Sequence, residues 1–146
     1  MIDAAILIPV YRSVNGELRI VMILRNPGGV HGGQVAFPGG KHDPEDETML
    51  DTALREAREE LGLIVNRSDI LAELPMTPTR TTGYRVFPYL ARITVPERWQ
   101  LAEREIAEIL DMPVNTVKTT LRRALARLRE KVAAWEEEVC YGTAGR

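Results

Sequence analysis

Phe37-Pro38-Gly39-Gly40, followed downstream by Arg55-Glu56-Ala57-Arg58-Glu59-Glu60-Leu61-Gly62-Leu63, is the stretch on which the reading of this chain turns. The second part has helical periodicity. Leu50, Ala53, Leu54, Ala57 and Leu61 fall on one stripe at 100° per residue and predict a core-facing helix. Asp43-Pro44 is suited to open it, with Asp46 an equally good cap, and Gly62 is suited to stop it. Glu56, Glu59 and Glu60 occupy another arc of the same wheel, spaced i, i+3 and i+4. Like charges at those spacings repel by a few tenths of a kcal/mol per pair, roughly, so helix stability does not call for them. A hard dication would reverse the sign, because Mg2+ and Mn2+ take carboxylate oxygens. Arg55 and Arg58 flank the cluster and are placed to orient the carboxylates. Taken alone, the three glutamates read best as a solvated acidic face. Gly39-Gly40 just upstream shifts the balance, because backbone groups there can approach a metal or phosphate.

Working outward, residues 4–11 read as a buried strand, Asn15-Gly16 as a hairpin turn and residues 18–25 as the return strand. Six glycines between positions 28 and 40 exclude regular helix there. Residues 70–74 and 84–95 read as two more strands, and residues 103–139 as mostly helical with a break near Asp111-Met112-Pro113. Four strands, a central helix and a helical tail predict one mixed domain over 1–146.

Composition narrows the class. Hydrophobic residues are 45% and charged residues 27% of the 146, as in ordinary globular proteins. No apolar run approaches the roughly 18–20 residues of a membrane helix, and residues 4–10 are too short and lack the basic flank of a signal peptide. The lone Cys140 builds neither a disulfide framework nor a cysteine zinc site, which predicts a reducing, cytoplasmic setting. A net charge of -2 does not mark a nucleic-acid binder, although Arg122, Arg123, Arg127, Arg129 and Lys131 cluster late in the chain.

The Gly-spacer-Arg-Glu-apolar-x-Glu-Glu-x-Gly-apolar pattern resembles the Nudix box. The spacer from Gly40 to Arg55 is one residue longer than usual, with Asp46 in place of the usual Glu. That length resembles the coenzyme A pyrophosphatase branch of the family. So do His31-Gly32-Gly33-Gln34-Val35-Ala36-Phe37-Pro38-Gly39-Gly40 and Pro78-Thr79-Arg80-Thr81-Thr82-Gly83-Tyr84-Arg85-Val86-Phe87-Pro88-Tyr89. The resemblance covers about residues 4–114. It implies an α+β chain, a Nudix-type α/β/α sandwich with a mixed sheet. It also implies Mg2+- or Mn2+-dependent hydrolysis of a nucleotide diphosphate, here coenzyme A or its thioesters, to 3′,5′-ADP and phosphopantetheine. The expected metal ligands are Glu56 and Glu60, with Glu59 sharing and the Gly40 carbonyl completing the set. One of these glutamates, Glu105 or Glu108 is the expected general base. Arg25, Arg80 and Arg85 are the expected phosphate contacts, since arginine pairs bidentately with phosphate. Gly39 is expected to approach the substrate, and Tyr84 or Phe37 to stack on adenine. Each has a plainer role available: solvated arginine, core phenylalanine. His31 is evenly divided between a phosphate and a backbone carbonyl. The expected partner is a small nucleotide, with neither membrane nor nucleic acid.

The tail admits two accounts. Residues 103–130 resemble the helix-turn-helix of sigma-factor DNA-binding regions, with Thr116, Lys118, Thr119, Arg122 and Arg123 facing DNA. On that account the chain is a nucleotide-sensing regulator. The second account takes Glu105-Ile106-Ala107-Glu108-Ile109-Leu110-Asp111-Met112-Pro113-Val114 as the closing strand of the hydrolase, followed by a terminal helix. We favour the second, because the core needs closing elements here. The chain stops before the aromatic-rich last strand usual in the branch, and a truncated closing element is expected either to weaken the pocket or to call for a partner subunit, as in a homodimer.

Overall fold

The computed structural model describes residues 1–28 and 32–114. The strands are β1 (Ile2–Arg12), β2 (Leu18–Arg25), β3 (Val35–Ala36), β4 (Gly39–Lys41), β5 (Ile70–Glu73), β6 (Thr77–Pro78), β7 (Tyr84–Arg92) and β8 (Ile106–Pro113). Helix α1 (Met49–Leu61) lies between β4 and β5.

β1 forms the middle of the sheet. Its apolar residues on both faces need partners on both sides and cover above and below. It pairs in parallel with β7, Ile2 opposite Tyr84 through Val10 opposite Arg92, and antiparallel with β2 at Val10, Tyr11 and Arg12. Toward its start β2 diverges and β4 takes the vacated edge, Ala4, Ala5 and Ile6 facing Lys41, Gly40 and Gly39. The sheet therefore forks. β3 pairs with β2 at Ile23 and Leu24, Pro38 crosses the gap, and β4 joins β1. β8 covers the outer edge of β2 from Arg19 to Arg25, and β5 and β6 cover β7. The result is a mixed sheet in an α+β sandwich.

Alternation along the strands divides the core. Ala5, Leu7, Val21, Ile23, Tyr89 and Ala91 meet Ala53, Ala57 and Leu61 of α1 on one face. Ile8, Val10, Ile20 and Leu90 form the other cluster with Val114. The predicted helix is present, but its cap is neither Asp43 nor Asp46. Thr48 accepts from the Asp51 N–H, and the Asp51 carboxylate accepts from the Thr48 N–H, a capping box that sets the start. Gly62 ends the helix at φ 66°, where a side chain would be strained.

A second sequence expectation changes. Residues 106–113 are strand, not helix: the free edge of β2 needs hydrogen-bond partners, and Ile106 and Ile109 turn into the α1-side core. The first helix of a helix-turn-helix is therefore absent at these positions, which match the closing-strand account. The residues assigned to its second helix or to the expected terminal helix, like His31 and Cys140, lie outside the described residues. The stretch 35–41, where the glycines exclude regular helix, carries the short strands β3 and β4. No helix among the described residues is long and apolar enough to cross a membrane.

Candidate active site

A cleft of about 640 Å³ opens at the fork of the sheet. Arg25 at the end of β2, Gly39, Gly40 and Lys41 of β4, Glu56, Glu59 and Glu60 of α1, and Glu105 line its polar end. Tyr84, Thr79 and Thr82 line the other side. The divergence of β2 from β4 lets the helix carboxylates reach this space.

Glu60 is the innermost, with its side chain 3% exposed. It accepts the Gly39 N–H at 3.1 Å and lies 3.7 Å from the Arg25 guanidinium. Burial pushes its carboxyl up to about 7, helped by the charges of Glu56 and Glu105 and opposed by Arg25 and the Gly39 N–H. Burial also raises Glu56, against the pull of Arg55. Glu56 packs on the backbone of β4 so closely that a Cβ at position 40 would lie 2.4 Å from its Oε1, so only glycine fits there with this carboxylate in place.

Arg55 organises the rest. Its Nε and Nη2 donate to Asp46 at 3.0 Å each, and its Nη1 donates to Glu56 at 3.0 Å and Glu59 at 3.1 Å. This paired geometry holds the Asp46 carboxyl down at about 2. Glu105 arrives from the loop after β7. Gln100 N–H donates to Leu61 O at 3.0 Å, Ala102 N–H to Glu60 O at 2.9 Å, and Asn26 N–H to Glu105 O at 2.9 Å.

The cleft thus gathers Arg25, Gly39, Gly40, Glu56, Glu59, Glu60, Tyr84 and Glu105 from the predicted set. Others lie elsewhere. Arg85 stands between Tyr84 and Val86 on β7, so pleating turns it away from the cleft to a bidentate pair with Asp3 at 2.6 and 2.8 Å. Arg80 is exposed on the turn after β6, outside the cleft lining. Phe37 packs against the cluster of Ile8 and Ile20, its plainer role. Glu108 is opposite Leu24, on the side of the sheet away from α1, and is exposed outside the cleft lining. Asp46, Lys41, Thr79 and Thr82 were not anticipated as site residues. The Asp46–Arg55 spacing was visible, but nothing local in the sequence indicated that the loop doubles back.

The donors suit a hard dication. All are carboxylate oxygens in one cleft, and the buried Glu60 sits in a like-charged field that a dication would relieve. Among the described residues no three His, Cys, Asp or Glu side chains are already closed around one point. Arg25 and Arg55 hold these oxygens instead, and rotation of the glutamate ends would be needed for them to converge.

A family model for the NUDIX domain matches residues 1–135. The chain belongs to the Nudix family. A curated relative from Citrobacter koseri, called uncharacterized Nudix hydrolase NudL, is 35% identical over 116 residues, 77% of this chain and 58% of that protein. A relative of the same name from Pectobacterium atrosepticum is 39% identical over 85 residues, 58% of this chain and 44% of that protein. The chain spans about half the length of the curated relatives it matches. Its Nudix fold resembles the C. elegans Ap4A hydrolase in a binary complex, with a TM-score of 0.71 at 17% identity over 92% of this chain and 99% of the other. It also resembles the NUDIX domain of Shewanella oneidensis NrtR complexed with ADP ribose, with a TM-score of 0.68 at 15% identity over 90% and 88%. At these identities the likeness concerns the fold.

Proposed function

We propose that this Nudix chain is a Mg2+- or Mn2+-dependent hydrolase of a nucleotide diphosphate, acting on coenzyme A or acyl-CoA to release 3′,5′-ADP and (acyl-)phosphopantetheine. The observation that carries the chemistry is the convergence of Glu56, Glu59, Glu60 and Glu105 with Arg25 in one cleft. The substrate assignment is supported by the long Gly40–Arg55 spacer and the residues around Gln34 and Tyr84.

A bound dication would neutralise the diphosphate and lower the pKa of an attacking water. The chain supplies the rest. Glu56 and Glu60 would hold the metal, with Glu59 on the same arc and the Gly40 carbonyl beside them. Arg25 reaches the same space and would take a phosphate oxygen once a cation relieves it of Glu60. Glu105 faces the cleft from the opposite loop without a side-chain ion pair among the described residues, and is our candidate to accept the proton of the attacking water. Tyr84 offers its ring at the far side, with the Lys41 ammonium 5.9 Å from its centroid.

The test is turnover by purified protein with Mg2+ or Mn2+, following 3′,5′-ADP from coenzyme A. The likeness to folds that carry Ap4A hydrolase and ADP-ribose in their names favours a second screen with dinucleoside polyphosphates and ADP-ribose. Release of product only from those would move the substrate and keep the chemistry. No release from any of them would overturn the hydrolase reading.

A further inference from the structure

We propose that Thr52 is a positioning residue for the carboxylate platform. Its hydroxyl, held by His42, orients Asp46, and through Asp46 the Arg55 guanidinium that carries Glu56 and Glu59. The proposal rests on the metal-platform reading above.

Thr52 is fully buried in α1, one turn before Glu56 and on the same arc of the helix. Packing there requires only volume, which valine would supply as well, so the hydroxyl needs its own account. Thr52 Oγ1 is 2.8 Å from Asp46 Oδ2 and 2.9 Å from His42 Nδ1. An ionised carboxylate only accepts, and a hydroxyl has a single hydrogen. That hydrogen is committed to Asp46, so the contact with His42 must be a donation from Nδ1–H to Thr52 Oγ1. The direction of every link is then fixed. His42 donates to Thr52, Thr52 donates to Asp46, and Asp46 accepts Nε and Nη2 of Arg55. Arg55 is left with Nη1 for Glu56 and Glu59.

The arrangement ties an irregular connection to the helix. Asp46 sits in the turn between β4 and α1, where its backbone N–H donates to Asp43 O and its carboxylate accepts the Asp43 N–H. Without the Thr52 donor, the carboxylate keeps Arg55 but loses the contact that anchors it to the buried face of the helix. Outer partners that orient ligating side chains typically contribute tenfold or more to metal affinity, roughly.

The experiment compares Thr52→Val, which keeps the shape, with Thr52→Ser, which keeps the hydroxyl. Free Mn2+ is followed by electron paramagnetic resonance during titration of each protein, without substrate. The ring nitrogens of His42 are followed by 15N NMR in metal-free protein at alkaline pH. We expect His42 to carry its proton on Nδ1 in the wild type. Thr52→Val should weaken Mn2+ binding about tenfold and Thr52→Ser by less than about twofold. His42→Ala, whose side chain is only half-buried, should weaken it about threefold and serves as the variant least exposed to folding loss. Mn2+ affinity unchanged in Thr52→Val and His42→Ala, equal losses in Val and Ser variants, or an Nε2–H tautomer in the wild type would overturn the proposal. Failure of the wild type to bind Mn2+ at all would overturn the platform reading instead.

Discussion

Replacing Glu60 by Gln should stabilise the metal-free protein at pH 8 while removing its activity. Glu60 has an ordinary carboxyl value of 4.5 when exposed and is pushed up to about 7 in the fold. The folded state therefore binds more protons than the unfolded one between those values, and stability falls as pH rises across that window. Above it the full penalty applies, about 3 kcal/mol from the size of the shift. Glutamine keeps an oxygen for the Gly39 N–H and carries no charge. The attraction to Arg25 is already contained in that shift; allowing for the poorer fit of an amide in a cleft shaped for a carboxylate, we expect a net gain of about 2 kcal/mol, or a Tm increase of about 6 °C. At pH 5 the gain should shrink to under about 1 kcal/mol, since the folded carboxyl is then protonated. The assay is thermal unfolding of both proteins in chelator at pH 5 and pH 8, repeated with Mg2+. Added Mg2+ should raise the wild type and leave the variant nearly unchanged, since a ligand that binds only the folded state stabilises it by mass action. A destabilised variant at pH 8, or a Tm difference independent of pH, would refute the argument that Glu60 is a charge held at a cost.

Adjacent glycines should fail in opposite ways. Gly40→Ala displaces only the end of the Glu56 side chain, so turnover should fall at least about tenfold with Tm nearly kept, whereas Gly39→Ala drives a Cβ to 2.3 Å from the Ala5 carbonyl and should cost about 2 kcal/mol in denaturant unfolding. Arg55→Lys removes the planar fork shared by Asp46, Glu56 and Glu59 and should lower kcat/KM at least about tenfold despite the kept charge. Arg25→Ala should raise KM for the diphosphate about tenfold, while Arg85→Ala, which breaks only a pair with Asp3, should leave KM within about twofold. Steady-state kinetics on both arginine variants decides the last point.

The sequence carried the parts whose signal is local. The stripe Leu50, Ala53, Leu54, Ala57 and Leu61 marks α1, Asn15-Gly16 marks the first hairpin, and the glutamates share an arc because helical geometry requires it. The helix start was misplaced because three acidic or hydroxyl caps lie within a few residues, and only Thr48 has a reciprocal partner at Asp51. Residues 101–110, in which alanine, leucine and glutamate recur, favour helix intrinsically, and the second half of that run is strand. The exposed edge of β2 overrides that preference, and an edge is a property of the assembled sheet.

The site shows the same division in a sharper form. Which arginine reaches the cleft depends on strand parity and on the fork, not on nearness in sequence to Tyr84. Arg85 follows Tyr84 directly and is excluded because it follows directly, whereas Arg25 enters because β2 diverges from β1 beyond the Val10–Ile20 pair. Likewise Glu105 is held at the cleft by a backbone bond from Asn26, and Glu108 is placed on the other side of the sheet by its pairing with Leu24. A motif can therefore identify the ligands of α1, which share one rigid element. The residues facing them come from β2, β4, β7 and the loops before β7 and β8, and their placement depends on how β1 exchanges β2 for β4 as its neighbour.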